Sequence, residues 1–294
     1  MANADTCTYE GTTLTSCNNP CPVGNYVVQD GTTTVGERAF YECPDLTSVT
    51  FPEGLTTIED YAFYDCKNLT SVTFPVSLTT IGQGAFFWAS MTSLDLSQTQ
   101  LTTIKDYAFT YCNDLTSVTF PTSITTIGRH AFKGANRLTS VDLSQTQLTT
   151  IEGYIFSTCS GLTSVTFPTS ITIIEKNAFA FTGLTSVDLS QTQLTTIEPD
   201  AFYLCRNLTS VTFPDSLTSI QRDAFDTNSV FTSVIYNGMK PSGNYLPICN
   251  DPCVEVQCSI RGVEVDGVCE VLLAKATEQQ LKSAYADLKG CSLN

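Results

Sequence analysis

The side chains able to do chemistry are few in this chain, and most recur at fixed intervals. Its 294 residues contain a single histidine, His130. Histidine is the ordinary general base near neutral pH. His130 stands beside an Ala-Phe pair, in a column that elsewhere holds Arg38, Tyr61, Gly84, Tyr107, Tyr154, Asn177, Asp200 and Asp223. So varied a column reads as solvent-facing rather than catalytic. Serines form a second column: Ser48, Ser71, Ser93, Ser117, Ser140, Ser164, Ser186, Ser210 and Ser233. A serine ladder without a base is not a set of nucleophiles. No Ser-His-Asp arrangement, HExxH motif or Gly-rich phosphate loop is present to be placed. Neither an enzyme nor a cofactor is expected.

Cysteine is the other reactive type, at thirteen residues. Cys7, Cys17 and Cys21 lie near the start, and Cys249, Cys253, Cys258, Cys269 and Cys291 near the end. Such density at two ends suggests disulfide-stapled caps and an oxidising compartment. The spacings around Cys249, Cys253 and Cys258 are not a paired CxxC arrangement, so no metal site is expected. Between the ends Cys43, Cys66, Cys112, Cys159 and Cys205 share one position with Ala89, Ala135, Thr182 and Asn228. Small, mostly apolar substitutes indicate a tight slot and free buried thiols. Both terminal sets are odd in number, so each must leave one cysteine over or recruit another. Cys43 is the expected partner of Cys17 or Cys21, and Cys291 the expected leftover.

These positions are set by internal repetition. Ala-Phe recurs at Phe40, Phe63, Phe86, Phe109, Phe132, Phe179, Phe202 and Phe225, with Ile155-Phe156 filling the gap. Successive phenylalanines are 23 residues apart, except for one step of 24 between Phe132 and Phe156. The unit reads LTSVTFPxSLTTIxxxAFxxCxx. Its Val-x-Phe segment puts two apolar side chains on one face of a strand. A lone repeat cannot bury enough surface to fold, so stacking is obligatory. Two sub-types alternate from the third coil on. One carries Val-Thr-Phe-Pro; the other carries Asp-Leu-Ser-Gln-Thr-Gln after Leu94, Val141 and Val187, in a loop one residue longer. In two of those three coils the preceding turn is one residue shorter, as from Phe86 to Met91 and from Phe179 to Leu184.

The pattern LxxLxLPxxLxxIxxxAFxxCxxL resembles the BspA-like (Treponema pallidum-type) leucine-rich repeat. The resemblance implies a curved solenoid with one parallel β-sheet on its concave side. The Asp-Leu-Ser-Gln-Thr-Gln coil and the two Cys-rich ends depart from it, and the expected fold is an α/β solenoid, a right-handed coil between Cys-rich N- and C-terminal caps. It also implies surface or secreted proteins linked to adhesion, with no fixed catalytic residues. The expected organisation is a cap over residues 1–22, a solenoid of about nine repeats over 23–236, and a cap over 237–294. Hairpins are expected between Cys7 and Cys17 and between Cys258 and Cys269, and a helix over 270–289. Ala2-Asn3-Ala4 before Asp5 looks like the end of a removed secretory leader.

The net charge of −15 argues against nucleic acid or an anionic membrane surface as partner. No apolar run reaches the 18 or so residues of a membrane-spanning helix. Two surfaces are candidates for binding. Ser93, Asp95, Thr119, Ser140, Asp142, Thr166 and Asp188 form an outward, hydroxyl-rich and acidic strand face. Tyr61, Trp88, Tyr107, Tyr111 and Tyr154 cluster around the Ala-Phe anchor. The expected function is binding of a protein or glycan, adhesion or self-assembly, outside the cell or in an oxidising lumen. The alternative is an ice- or mineral-binding surface built on the Ser/Thr grid.

Overall fold

The computed structural model describes residues 7–226 and 231–237. Each repeat makes one turn of a β-solenoid, and three lines of backbone hydrogen bonds join consecutive turns. The first line uses the Ser-Val/Leu-Thr/Asp segments, where β-branched residues favour extended backbone. Gly24–Val27, Leu46–Thr50 and Ser71–Thr73 pair in parallel, with a register shift at Gly24/Asn25. Ser93–Asp95 pairs with Ser117–Thr119, and Ser140–Asp142 with Ser164–Thr166. Ser186–Asp188, Ser210–Phe213 and Ser233–Tyr236 form the last group. The interruptions coincide with each switch from a Val-Thr-Phe-Pro coil to an Asp-Leu-Ser coil.

The second line consists of two-residue Thr-Ile strands. One run joins Thr34–Val35, Thr57–Ile58, Thr80–Ile81, Thr103–Ile104 and Thr126–Ile127. Another joins Thr150–Ile151, Ile173–Ile174, Thr196–Ile197 and Ser219–Ile220. The one gap, between Ile127 and Ile151, falls at the single 24-residue step. There the longer loop is not offset by a shorter turn. Where it is offset, as from Ile81 to Ile104 and from Ile174 to Ile197, the ladder continues. The expectation of one sheet is therefore corrected: this second ladder runs alongside the first.

The third line corrects the α/β expectation. No helix occurs among the described residues. In every complete turn around Ala-Phe, two residues four apart take a left-handed backbone. Tyr61 and Asp65, Tyr107 and Tyr111, and Tyr154 and Thr158 do so with φ between 57° and 61°. Paired left-handed residues break any α-helix. They aim alternate amides at the next coil instead. Tyr107, Phe109 and Tyr111 donate to the carbonyls of Arg129, Ala131 and Lys133 at 2.8, 2.8 and 2.7 Å. The same triple recurs in every turn from Arg38 to Phe181.

Hydroxyls bind the coils as well. Thr79, Thr125, Thr172 and Thr218 donate Oγ1 to carbonyls of the preceding coil at 3.0–3.2 Å. Ser123 and Ser216 do likewise to Leu101 and Leu194 at 2.7 and 2.8 Å. This explains how a chain with only 15% charged residues satisfies its polar surface.

Inside, nine phenylalanines from Phe40 to Phe225 form one continuous stack. Ring centroids are 4.7–5.7 Å apart and ring planes are within 17° of parallel. The strand-end rings do not stack between such neighbours. Phe120 meets Phe132 edge-on at 5.7 Å and is only half-buried. Beside the stack, the thiols of Cys66, Cys112, Cys159 and Cys205 donate to the carbonyls of Phe40, Phe86, Phe132 and Phe179 at 3.0–3.2 Å. Burial pushes the Cys66 and Cys159 thiols up to about 12 and Cys205 up to about 11. Buried and protonated, they are structural donors rather than nucleophiles.

At the N-terminus Thr8–Glu10 and Thr13–Ser16 form an antiparallel hairpin around Gly11. Its second strand continues the second ladder, pairing Leu14 with Val35. Disulfides join Cys7 to Cys17 and Cys21 to Cys43, so the odd N-terminal set recruits a repeat cysteine. Cys249, Cys253, Cys258, Cys269 and Cys291, with the expected hairpin and helix, lie outside the described residues.

Phe109→Ala should remove the middle of the stack and lower stability by about 3–5 kcal/mol, and Phe120→Ala should cost less. Urea unfolding monitored by circular dichroism ranks the two; equal effects would mean the stack is not the core. Peptide mapping after alkylation of the native chain at pH 8 should leave Cys66, Cys112, Cys159 and Cys205 unmodified. Modification of any of them without unfolding would contradict their burial.

Candidate binding site

The strand face presents Ser93, Asp95, Thr119, Ser140, Asp142, Thr166 and Asp188 to solvent. The register places Asp95 opposite Thr119 and Asp142 opposite Thr166. Each aspartate also has a local task. Asp95, Asp142 and Asp188 accept the amides of Ser97, Ser144 and Ser190 at 3.0, 2.9 and 2.9 Å, which shapes the longer loop. The Thr119 hydroxyl, at 2.6 Å, and the Ser97 amide hold the Asp95 carboxyl below its usual range. Thr99, Thr146 and Thr192 close the same loops on Leu96, Leu143 and Leu189. The strand ladder is interrupted at each Asp-Leu-Ser coil, where Asp95, Asp142 and Asp188 stand in the threonine row, and the ice-binding alternative gains no support.

The turn face carries the aromatic residues, and the structure divides them into two groups. In one, His130 lies between Tyr107 and Tyr154, parallel to both at 4.6 Å. Its Nδ1 is buried without a hydrogen-bond partner. Burial, then nearby Lys133, lowers its pKa, partly offset by Asp106. Sequence reasoning took this column for plain solvent-facing positions; the tyrosines two coils apart are the signal that places a planar ring between them.

The second group is a fan around Trp88. Tyr41 stacks on Tyr64 at 5.0 Å, and Tyr64 on Phe87 at 5.1 Å. Trp88 packs against Phe87 at 4.8 Å, Tyr64 at 5.7 Å and Tyr111 at 6.3 Å. It nevertheless remains 42% exposed. Tyr61 belongs to this end of the face, with the Arg38 guanidinium 5.6 Å over its ring. Two rings lean over glycines of the next coil. A Cβ on Gly134 would lie 2.4 Å from a Tyr111 ring carbon, and one on Gly84 2.9 Å from Tyr61. These glycines let the rings lie flat.

Beside Trp88 is a depression of about 340 Å³, lined by Lys67, Trp88, Ser90, Tyr111, Asn113 and Asp114. Its origin is the shortened turn from Phe86 to Met91. The coils on either side carry Lys67-Asn68 and Asn113-Asp114 before Leu69 and Leu115, whereas this coil has only Ser90 before Met91. The missing residue leaves a notch. Around it Lys67 pairs with Asp65 at 3.1 Å and Asp114 with Arg137 at 3.1 Å. Among the described residues no cluster of acidic, histidine and cysteine side chains could hold a metal ion.

Comparisons agree with this architecture. The model for the BspA type leucine rich repeat region matches residues 33–146 and 130–246, in six copies. No curated protein matches the chain. Among solved structures, a leucine rich cell surface protein of Faecalibacterium prausnitzii A2-165 is 22% identical with a TM-score of 0.50, over 80% of this chain and 68% of that one. The T. pallidum Leucine Rich Repeat protein is 23% identical with a TM-score of 0.44, over 71% and 80%. At 22% identity the likeness to the F. prausnitzii protein concerns the fold alone. With more than half its length matched by the family model, this chain belongs to the BspA type leucine-rich-repeat family.

Proposed function

We propose that this chain is a non-enzymatic binding protein of the cell surface or extracellular space, and that its partner, a protein or glycan, docks on the turn face around Trp88. The observation carrying this reading is an exposed indole fixed by three aromatic neighbours at the edge of a depression. An anchor that is already rigid loses little entropy on binding, and such aromatics dominate binding energies. The two disulfides support an oxidising compartment. The description of the F. prausnitzii relative as a cell surface protein agrees with that location. No helix among the described residues is long and apolar enough to cross a membrane.

The strand face, with Asp95, Asp142 and Asp188, is the rival surface. Solid-phase binding to immobilised mucin and to an extracellular-matrix extract separates the two. Trp88→Ala/Tyr111→Ala should weaken capture at least about 30-fold, the effect of losing a central anchor. Asp95→Asn/Asp142→Asn/Asp188→Asn should retain it, with circular dichroism unchanged for both. Loss in the triple variant with retention in the double variant would move the site to the strands.

A further inference from the structure

The shortened turn at Trp88 has a counterpart. The third and seventh coils have the shortened turn, ending at Met91 and Leu184. Trp88 and Phe181 occupy equivalent positions in them and are 42% and 45% exposed. Both have left-handed backbone, at φ 62°, where a bulky side chain is disfavoured. Trp88 borders the notch beside its shortened turn, and Phe181, after the same shortening, packs edge-on against Tyr203 at 5.5 Å with its outer side open. Four coils separate them, about 19 Å along the solenoid axis.

Resting on the reading of the turn face as the binding face, we infer that the Trp88 notch is a subsite for a neutral saccharide, and Phe181 a second contact along the same glycan chain. Sugar rings pair an apolar C–H face with hydroxyls that both donate and accept. The notch offers the matching set. The indole supplies a flat apolar surface with an electron-rich face. Ser90 and the Asn113 amide supply donors and acceptors at the rim. The rim charges of Lys67 and Asp114 face Asp65 and Arg137 at 3.1 Å, so the rim carries no net charge that would select an ionic ligand. A chain of net charge −15 disfavours anionic glycans further. The depression, at about 340 Å³, lies at the small end of the roughly 300–1,000 Å³ range of small-ligand sites. The site is preformed, because Tyr111 lies flat over Gly134 and backs the indole.

Trp88 is the chain's one tryptophan, so its emission reports this site directly. The test titrates the full chain with di- and hexasaccharides of the cellulose, maltose, chitin, laminarin and mannan series. In at least one series the hexasaccharide should shift Trp88 emission saturably, and bind at least about 10-fold more tightly than its disaccharide because the second contact raises effective concentration. Phe181→Ala should bring the hexasaccharide's affinity down towards the disaccharide's. Gly134→Ala, which pushes Tyr111 aside, should weaken both, with Tyr111→Ala as the second variant should the alanine perturb folding. Absence of a saturable change in every series overturns the saccharide assignment. If Trp88→Ala/Tyr111→Ala has meanwhile abolished capture of matrix proteins, the binding face stands and its ligand is a protein. Equal affinity for di- and hexasaccharide, unchanged by Phe181→Ala, overturns the second contact.

Discussion

Everything in this protein depends on each coil closing in register with the next, around one column of phenylalanine rings. From Phe40 to Phe225 the rings lie parallel at about the distance between neighbouring strands. The backbone amide of each such residue from Phe40 to Phe202 donates to the residue before the next phenylalanine, as Phe109 does to Ala131. Ring stack and amide ladder therefore enforce the same repeat distance. The one coil that gains a residue alone keeps both, with Phe132 stacked on Phe156 at 5.7 Å and its amide bonded to Ile155 at 3.0 Å, and gives way in the Thr-Ile ladder instead. The two sub-types show the constraint in operation. A longer Asp-Leu-Ser loop matched by a shorter turn leaves the Thr-Ile ladder intact, and the one unmatched loop opens the one gap, between Ile127 and Ile151.

Much of this was legible in the residues. The 23-residue spacing, the inward valines and phenylalanines, the tight cysteine slot and the hairpin between Cys7 and Cys17 follow from residue type and period. The turn was not legible. Ala-Phe flanked by polar and aromatic residues looks compatible with a helix, and nothing in Tyr61, Asp65 or Trp88 announces positive φ, since only Gly84 and Gly134 among their equivalents are glycines. Left-handed backbone there is imposed by the hydrogen bonds it allows to the next coil. The threonines misled in the same way. The strand threonines suggested a presented hydroxyl array, yet Thr119 gives its hydroxyl to Asp95, and the threonines ahead of the Thr-Ile ladder spend theirs on carbonyls of the preceding coil.

On the proposed reading, function sits where the repeat departs from itself. The core positions are interchangeable between coils and carry no address. The shortened turns at Met91 and Leu184 preserve the perimeter inside and leave Trp88 and Phe181 exposed outside, with a notch beside Trp88. The aromatic fan around Trp88 borders that notch. On the strand face, by contrast, Asp95, Asp142 and Asp188 are engaged in shaping the longer loops, two of which, at Asp95 and Asp188, are offset by a shortened turn. One sequence change thus serves both closure of the coil and presentation of a surface.

Native-state hydrogen exchange measures the central constraint directly. The amides of Phe63, Phe86, Phe109, Phe132, Phe156 and Phe179, each bonded to the next coil, should exchange only through global unfolding, as slowly as the best-protected strand amides. Exchange of these phenylalanine amides at the rate of exposed turn residues, while the strand amides stay protected, would show that the ring column and its ladder do not hold the coils together.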